Sequence, residues 1–250
     1  SFLDSATLRE NVVSLARNIG YVPRSRTAAQ ATVSFNITTA TNTPTLTLQA
    51  GLVCVGTSND SSYVFSIPES ITTVTTQQTD ANGNIVSSTG VFSNIVIYQG
   101  TYLSKTFVVD GSLDQRFILE NSFIDTSTIK VYVKGAADTG LGREYRKVDN
   151  ILNITDTSET YLIQEATDER YELLFGDGVF GKKLENDANG PTSFQYSGSV
   201  TSSSNQIQLP TTTPTVATVS AAANGGEIES ISSIKYFAPR LYSSQYRAVT

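Results

Sequence analysis

Short apolar segments rich in β-branched residues, separated by turn-forming residues, place the strongest constraint on the fold of this chain. Their spacing of about 8 to 12 residues is typical of a β-sandwich or β-barrel. No long amphipathic helix interrupts them, which disfavours a parallel sheet built from βαβ units. The sequence therefore predicts a mainly β chain with antiparallel, sandwich-like domains. The clearest predicted strands are 93–98, 105–109, 115–119 and 128–133.

The first third of the chain shows the same strand pattern. Ala31, Val33, Phe35 and Ile37 alternate with polar residues, as in a strand with one buried face. Residues 80–84 combine Asp, Asn and Gly, a composition that predicts a hairpin tip; a calcium loop, the alternative, would need more carboxylates at alternate positions. Further predicted strands are 45–48, 51–55, 63–67 and 71–76.

Residues 4–20 are predicted to form a helix at the start of the chain. Asp4 or Ser5 can cap its first amides, Gly20 suits a left-handed C-terminal cap, and Pro23 prevents the helix from resuming. Its apolar residues recur at spacings of four, three and four, which places them on one narrow stripe. Such a stripe fits a seam with a partner helix as well as packing on the chain's own domain. The candidate interface residues are Leu8, Val12, Leu15 and Ile19.

The C-terminal part is predicted to be mostly linker. Residues 186–214 are rich in Ser, Thr and Pro and read as a loop with one strand candidate, 206–209. After two glycines, Ile228, Ile231 and Ile234 lie three apart and predict a short helix that Pro239 closes. The predicted organisation is a helical interface segment at 1–24, a first β-domain at 25–110, a second β-domain at 111–209 and an exit segment at 210–250.

A glycine-rich segment at 176–181 formally matches the fingerprint of a nucleotide-binding loop. Such a loop needs a following helix whose N-terminal amides bind the phosphate, and residues 182–191 are too short and loop-like to provide one. We interpret the segment as a tight turn between a strand at 172–175 and Val179–Phe180. The predicted structural residues are Gly176, Asp177, Gly178 and Gly181, with no cofactor bound.

Composition excludes several classes of function. The chain has no histidine, and its one cysteine, Cys54, lies in an apolar segment, so Ser-His-Asp catalysis and Cys/His metal sites are excluded. The net charge is −6 without a basic cluster, which argues against nucleic acid as a partner. Only 16% of residues are charged, while 30 Ser and 33 Thr predict a hydroxyl-rich surface. We expect no signal peptide and no membrane-spanning segment.

Residues 174–184 resemble the hallmark segment of the baseplate wedge, or baseplate J-like, proteins of contractile-tailed bacteriophages. The resemblance covers nearly the whole chain. The chain departs from the family in two ways. Only residues 185–187 separate the glycine corner from 188–191, where the family has another strand and loop. Family members also extend beyond both ends of this sequence, so we expect an internal fragment. Four further regions agree in order: 2–7 with 15–23, 94–100, 116–121 with 124–128, and 238–242 with 247–250.

The resemblance implies a non-enzymatic structural subunit of the virion's tail baseplate, assembled in the host cytoplasm, without cofactor or metal. Two copies would pair within a wedge and join neighbouring wedges into a ring around the central hub, in contact with other wedge and hub proteins. An alternative is a β-rich receptor-binding or adhesin tail protein, although no internal repeat is visible. A third is a glycosidase using a carboxylate pair, with candidates Asp168 and Glu172 or Asp110 and Asp114.

Overall fold

The computed structural model describes residues 2–58, 60–112, 114–186, 189–200 and 217–245. Far more of them lie in strands than in helices, so the predicted mainly β class, with a helix at the start and another near the C-terminus, is confirmed. The helices are α1 (Phe2–Ser5), α2 (Arg9–Asn18) and α3 (Ile231–Gln245). The strands are β1 (Gln30–Thr39), β2 (Thr45–Leu48), β3 (Gly51–Ser58), β4 (Ser61–Ile67), β5 (Ile71–Thr79), β6 (Ile85–Gln99), β7 (Thr101–Val108), β8 (Phe117–Leu119), β9 (Lys130–Lys134), β10 (Arg143–Lys147), β11 (Thr160–Glu165), β12 (Tyr171–Phe175), β13 (Ser193–Val200) and β14 (Ala217–Ala223).

The chain divides into two compact units built from alternating segments. One, the helical unit, consists of residues 1–26, 104–197 and 227–250. The other, the all-β unit, consists of residues 27–103 and 198–226. The backbone therefore passes from one unit to the other four times, at 26/27, 103/104, 197/198 and 226/227. The sequence predicted continuous domains instead, because composition cannot show that a distant segment returns to an earlier one.

A long strand, β6, organises the sheet of the all-β unit. It pairs antiparallel with β1 from Tyr98, opposite Gln30, to Ser88, opposite Thr39. Its other edge is shared by β5 near its start and β4 near its end, and β14, β3 and β2 complete the sheet. The predicted alternation in β1 is confirmed, because Ala31, Val33 and Phe35 are buried. Their cluster also contains Phe65, Ile67, Phe92, Ile95 and Ile97.

The tip at residues 80–84 connects β5 to β6 as a hairpin, as predicted. One carboxylate oxygen of Asp80, Oδ1, accepts hydrogen bonds from the backbone N–H groups of Asn82 and Asn84, at 2.9 and 2.8 Å. The Gly83 N–H donates to the Asp80 carbonyl at 3.1 Å. The carboxylate thus organises the turn itself.

The sheet of the helical unit, in the order β7-β13-β9-β10-β11-β12-β8, curls on itself. Phe107 in the first strand of this order and Phe117 in the last have ring centroids only 5.8 Å apart. Phe194 lies between them, 5.1 Å from Phe107 and 4.8 Å from Phe117. Strands β10 and β11 pair in parallel, an exception that the antiparallel prediction missed. Aromatic side chains therefore fill the inside of the curled sheet.

The predicted linker at 186–214 is wrong where β13 lies. Residues Ser193–Val200 pair with β9 over five register positions, from Ser193 opposite Lys134 to Ser197 opposite Lys130. Phe194 and Tyr196 are buried, whereas Ser193 and Gln195, which alternate with them, are only half-buried. The Ser- and Thr-rich composition thus concealed a period-two pattern in which two aromatic residues supply the burial. The strand candidate at 206–209 lies outside the described residues.

The predicted helix at 4–20 is two helices with a break at residues 6–8. Helix α2 begins after Leu8, whose side chain provides no cap, so the expected cap by Asp4 or Ser5 is wrong for this helix. The break lets Leu3 of α1 join the buried cluster between the helices. The Lys235 amine of α3 also donates to the Asp4 carbonyl at 2.8 Å. Tertiary contacts thus outweigh the propensity for one continuous helix.

Glycine ends α2 as predicted. Gly20 has a φ of 83°, and its N–H donates to the Arg17 carbonyl at 2.9 Å. The Tyr21 N–H donates to the Ala16 carbonyl at 3.0 Å, which completes a Schellman motif. This cap fixes the direction in which the chain leaves α2.

The helix near the C-terminus extends beyond its predicted end. Pro239 lies inside α3, which continues to Gln245. Proline cannot donate to the carbonyl four residues earlier, a defect that costs about 3 kcal/mol in a helix interior. Ile234 and Ala238 are fully buried against α2, and this packing keeps the helix on both sides of Pro239. Among the described residues, no helix is long and apolar enough to cross a membrane.

Candidate interface sites and the glycine corner

The glycine corner, residues 176–183, brings two glycines into direct backbone contact. A Cβ atom added to Gly176 would lie 2.0 Å from the carbonyl carbon of Gly181. Gly178 and Gly181 have φ values of 91° and 90°, in the left-handed region that favours glycine. The Gly178 N–H donates to the Gly181 carbonyl at 3.0 Å and closes the loop. The predicted structural residues are thus brought together in one tight corner.

Asp177 holds the inside of this corner. Its Oδ1 atom accepts hydrogen bonds from the N–H groups of Val179 and Phe180, both at 2.8 Å. These hydrogen bonds lower the pKa of the Asp177 carboxyl below its usual value of 3.8. Val179 and Phe180 lie in the loop, with 65% and 50% of their surface exposed. Since the carboxylate occupies both N–H groups, they are not available to a phosphate.

A second loop, residues 148–159 between β10 and β11, supports the corner. The Gly181 N–H donates to the Thr155 carbonyl at 3.0 Å, and the Lys182 N–H donates to the Ser158 carbonyl at 2.9 Å. The Lys182 amine also binds the Glu159 carboxylate at 2.9 Å. That contact lowers the pKa of Glu159, as does a hydrogen bond from Arg143, while burial opposes both. The two loops therefore form one hydrogen-bonded assembly.

The predicted interface stripe lies mostly inside the helical unit. Val12 is 0% exposed and belongs to the cluster with Ile234 and Ala238 of α3. Leu15 and Ile19 pack partly against the same cluster, whereas Leu8 is 66% exposed. The stripe thus contacts a helix of the same chain, and an additional role in contacts with a second molecule stays a prediction.

Glu229 lies just before α3, at the positive end of this helix, and its carboxylate is buried. Its Oε1 accepts hydrogen bonds from the Tyr21 and Ser233 hydroxyls, each at 2.7 Å, and its Oε2 accepts one from the Arg24 N–H at 2.9 Å. Burial raises the pKa of Glu229, but these hydrogen bonds outweigh it and leave the pKa below 4.5. Ser230 caps α3, since its hydroxyl accepts from the Ser233 N–H at 3.2 Å. The sequence indicates an acidic residue at the start of this helix, whereas its burial depends on Tyr21 and Arg24, which are distant in the sequence.

A groove of ≈ 580 Å³ opens beside this network. Tyr21, Val22 and Phe237 supply apolar walls, and Arg24 and Glu229 line its polar side. Phe237 is 51% exposed although it lies on a helix whose opposite face is fully buried. A helix with apolar residues on two faces is typical of one that is covered on both. The groove is therefore a candidate contact surface.

Three of the four carboxylates in the candidate catalytic pairs hold contacts with other residues. Glu172 is buried, accepts hydrogen bonds from Arg116 on both oxygens at 2.8 Å, and accepts another from Gln164 at 2.7 Å. Asp168 is exposed and faces Arg170 at 3.4 Å, and Asp110 accepts from the Ser112 N–H. Cys54 is partly buried, and burial raises the pKa of its thiol. Within the described ranges, no group of three His, Cys, Asp or Glu side chains could hold a metal ion.

Comparison with known proteins gives two matches. Residues 103–209 match the family described as bacteriophage baseplate wedge protein gp6, third domain. Over 284 residues the chain is 25% identical to baseplate wedge protein gp6 of Enterobacteria phage T4, and the alignment covers 100% of this chain and 40% of that protein. The chain thus spans less than half the length of this relative. Both matches support a baseplate wedge family.

Proposed function

We propose that this chain is part of a structural subunit of a baseplate wedge in a phage tail, located in the tail baseplate of the virion. The observation that carries the proposal is the match of residues 103–209 to the third domain of a baseplate wedge protein. This range contains β8 to β13 and the glycine corner, which together form the curled sheet's main part. The similarity to the phage T4 wedge protein extends over the remaining residues, so it also supports the all-β unit.

The finer proposal is that two copies pair within a wedge and that neighbouring wedges join into a ring around a central hub. This organisation and membership of the baseplate J-like proteins are implied by the sequence resemblance. Because Val12 is buried against α3, the pairing surface is better placed on exposed side chains of the same helical layer. Leu8, Val22 and Phe237 are exposed there and would lose apolar surface to water on pairing.

The mechanism we propose is mechanical rather than catalytic. Each unit behaves as a rigid body, and contacts through the helices hold or reorient it when the baseplate changes state at infection. Paired and hydrogen-bonded carboxylates such as Glu172 and Glu229 support this role, because their bonds stabilise packing between segments. The proposed partners are a second copy and other wedge and hub proteins, with no nucleic acid and no membrane.

The test is assembly with the other tail proteins of the same phage. The full-length protein is co-expressed with them, purified through a tag, and the mass and stoichiometry of the complex are measured. We expect wedge proteins to co-purify, with two copies of this chain in each wedge. Purification of the folded protein without any tail protein would contradict the structural role.

A paired substitution tests the surface. Phe237→Glu should reduce the dimeric fraction, since a carboxylate cannot be buried against an apolar partner without a large desolvation cost. Ser14→Glu, on the exposed side of α2, is the matched control and should leave pairing unchanged. If both variants pair equally well and still bind the wedge proteins, the pairing surface must lie elsewhere. The assignment to a wedge would still hold.

A further inference from the structure

Four large apolar side chains are exposed on the glycine corner and on the loop that supports it. Val179 and Phe180 form the tip of the corner. The supporting loop presents Ile151 and Leu152, the latter 75% exposed. Large apolar side chains that are exposed on adjoining loops are candidates for an interaction site. These four lie on two loops that are hydrogen-bonded to each other through Thr155 and Ser158.

The tip is ordered before it meets a partner. Asp177 fixes the N–H groups of Val179 and Phe180, and the Gly178 N–H fixes the other side of the loop by donating to Gly181. Preorganised side chains bind more tightly because less conformational freedom is lost on association. The corner therefore has the properties of a docking element rather than of a flexible connection.

The same loop also borders a cavity of ≈ 380 Å³, the corner cavity. Gly176 and Lys183, at the two ends of the corner, line this cavity. Apolar side chains of β8, of β12 and of the segment that follows the corner also line it. A cavity of this size can accept an aromatic ring. A projection and a cavity on one surface are the elements of a self-complementary, two-fold interface. The apolar lining residues are Val109, Phe117, Leu173, Leu174, Phe175 and Leu184.

The charges at the cavity also fit a second copy. Three charged residues line it, of which Glu172 is paired with Arg116. Lys183 and Glu185 have their charged atoms 3.5 Å apart, and both side chains are at least half exposed. A partner surface that carries only one sign of charge would be repelled by either Lys183 or Glu185. A second copy related by a two-fold axis would instead bring its Glu185 to Lys183 and its Lys183 to Glu185.

We propose that the glycine corner is a two-fold contact between copies of this chain, in which Phe180 of each copy enters the other's corner cavity and Lys183 faces the partner's Glu185. This inference rests on the proposed function and deepens it, because a ring needs a second self-contact besides pairing through the helices. Four apolar side chains provide less than the ~800 Å² per partner of a stable interface, so each contact is weak alone and gains strength from repetition in the ring.

The decisive test mixes two charge-reversed variants of the full-length protein. Lys183→Glu places two glutamates at each cavity, and Glu185→Lys places two lysines, so each variant alone should associate at least about tenfold more weakly than the wild type. In the mixture, a contact between one molecule of each variant brings the glutamate at position 183 of one to the lysine at position 185 of the other, so association should recover. Sedimentation velocity at high protein concentration measures it. Lys147→Glu, an exposed lysine on β10, is the control for net charge.

A second pair of variants tests the tip. Phe180→Asp should weaken self-association by a similar factor, whereas Val74→Asp, an exposed valine on β5, should not. Failure of the mixture to recover, or equal loss in the Val74 and Lys147 controls, would overturn the proposed contact. Binding to tail proteins, measured in parallel, separates the two proposals: a chain that enters wedges but shows no charge rescue contradicts the corner contact alone.

Discussion

Arg9 on α2 donates hydrogen bonds to both carboxylate oxygens of Glu165 on β11, which is 156 residues away in the sequence. Its Nε and Nη2 atoms donate at 2.5 and 3.0 Å, and its Nη1 atom donates to the Glu229 carbonyl at 2.5 Å. One guanidinium therefore joins all three segments of the helical unit. Both side chains of the ion pair are largely buried, which excludes water from the contact.

Arg9→Ala should strongly destabilise the helical unit. Removing one partner of a buried ion pair leaves the other charge without compensation, which costs about 3–5 kcal/mol. We expect a lower urea midpoint by circular dichroism and faster hydrogen exchange in α2. The control is Arg143→Ala, which removes a largely exposed arginine from Glu159 and should cost less than about 1 kcal/mol. Similar midpoints for the two variants would contradict the joining role of Arg9.

Gly176→Ala should damage the corner more than Gly178→Ala. At Gly176 the added methyl group would overlap the Gly181 backbone, so the loop must open. At Gly178 the nearest atom is 3.8 Å away, and only the positive φ is unfavourable, at about 1–2 kcal/mol. Urea unfolding of both variants measures the difference. Gly83→Ala at the β5–β6 tip, with a positive φ and open space, is expected to match Gly178→Ala.

Val12→Ala and Leu8→Ala separate packing from surface exposure on α2. Val12 is fully buried between helices, so its truncation should cost about 2 kcal/mol through lost burial and a new cavity. Leu8 is exposed, and its truncation should change the free energy of unfolding by less than about 0.5 kcal/mol. Thermal unfolding at low protein concentration avoids any contribution from pairing. A larger effect at Leu8 would contradict the packing described for this helix.

The ion pair of Glu172 with Arg116 should make stability depend on pH. Hydrogen bonding from Arg116 lowers the pKa of Glu172 below 4.5, burial opposes this, and Gln164 lowers it further. A carboxyl group with a depressed folded-state pKa stabilises the fold above its unfolded-state pKa and loses that contribution as pH falls through the folded-state value.

We therefore expect the stability difference between the wild type and Glu172→Gln to shrink between about pH 5 and pH 3. Urea midpoints across this range measure it. Glu10→Gln, on the exposed side of α2, is the control and should give a pH profile parallel to the wild type. A difference between wild type and Glu172→Gln that stays constant with pH would contradict the assignment.

Local patterns predicted the strands with regular alternation. In β1, Ala31, Val33 and Phe35 are buried as their spacing indicated, and the turn at Asp80 forms the expected hairpin. The Gly20 cap was also predictable, since a left-handed residue after a helix favours glycine. These features depend on residues close in the sequence, and the sequence contains the information directly.

Features that depend on distant partners were not predictable. Strand β13 needs the aromatic cluster around Phe194, and α3 passes Pro239 because α2 packs on Ile234. At the corner, Asp177 and Gly178 indicated a tight turn, but the contact of Gly181 with Gly176 depends on the complete loop. The buried position of Glu229 likewise requires Tyr21 and Arg24 from the other end of the chain.

The alternating path of the backbone limits how this protein can be dissected for expression. A single cut cannot separate the units, because each is assembled from stretches on both sides of any cut between residues 104 and 197. An isolated helical unit would require two loop-outs, one for 27–103 and another for 198–226. The reciprocal design would join 27–103 directly to 198–226, and truncation from either terminus would remove a helix before it reached the all-β unit.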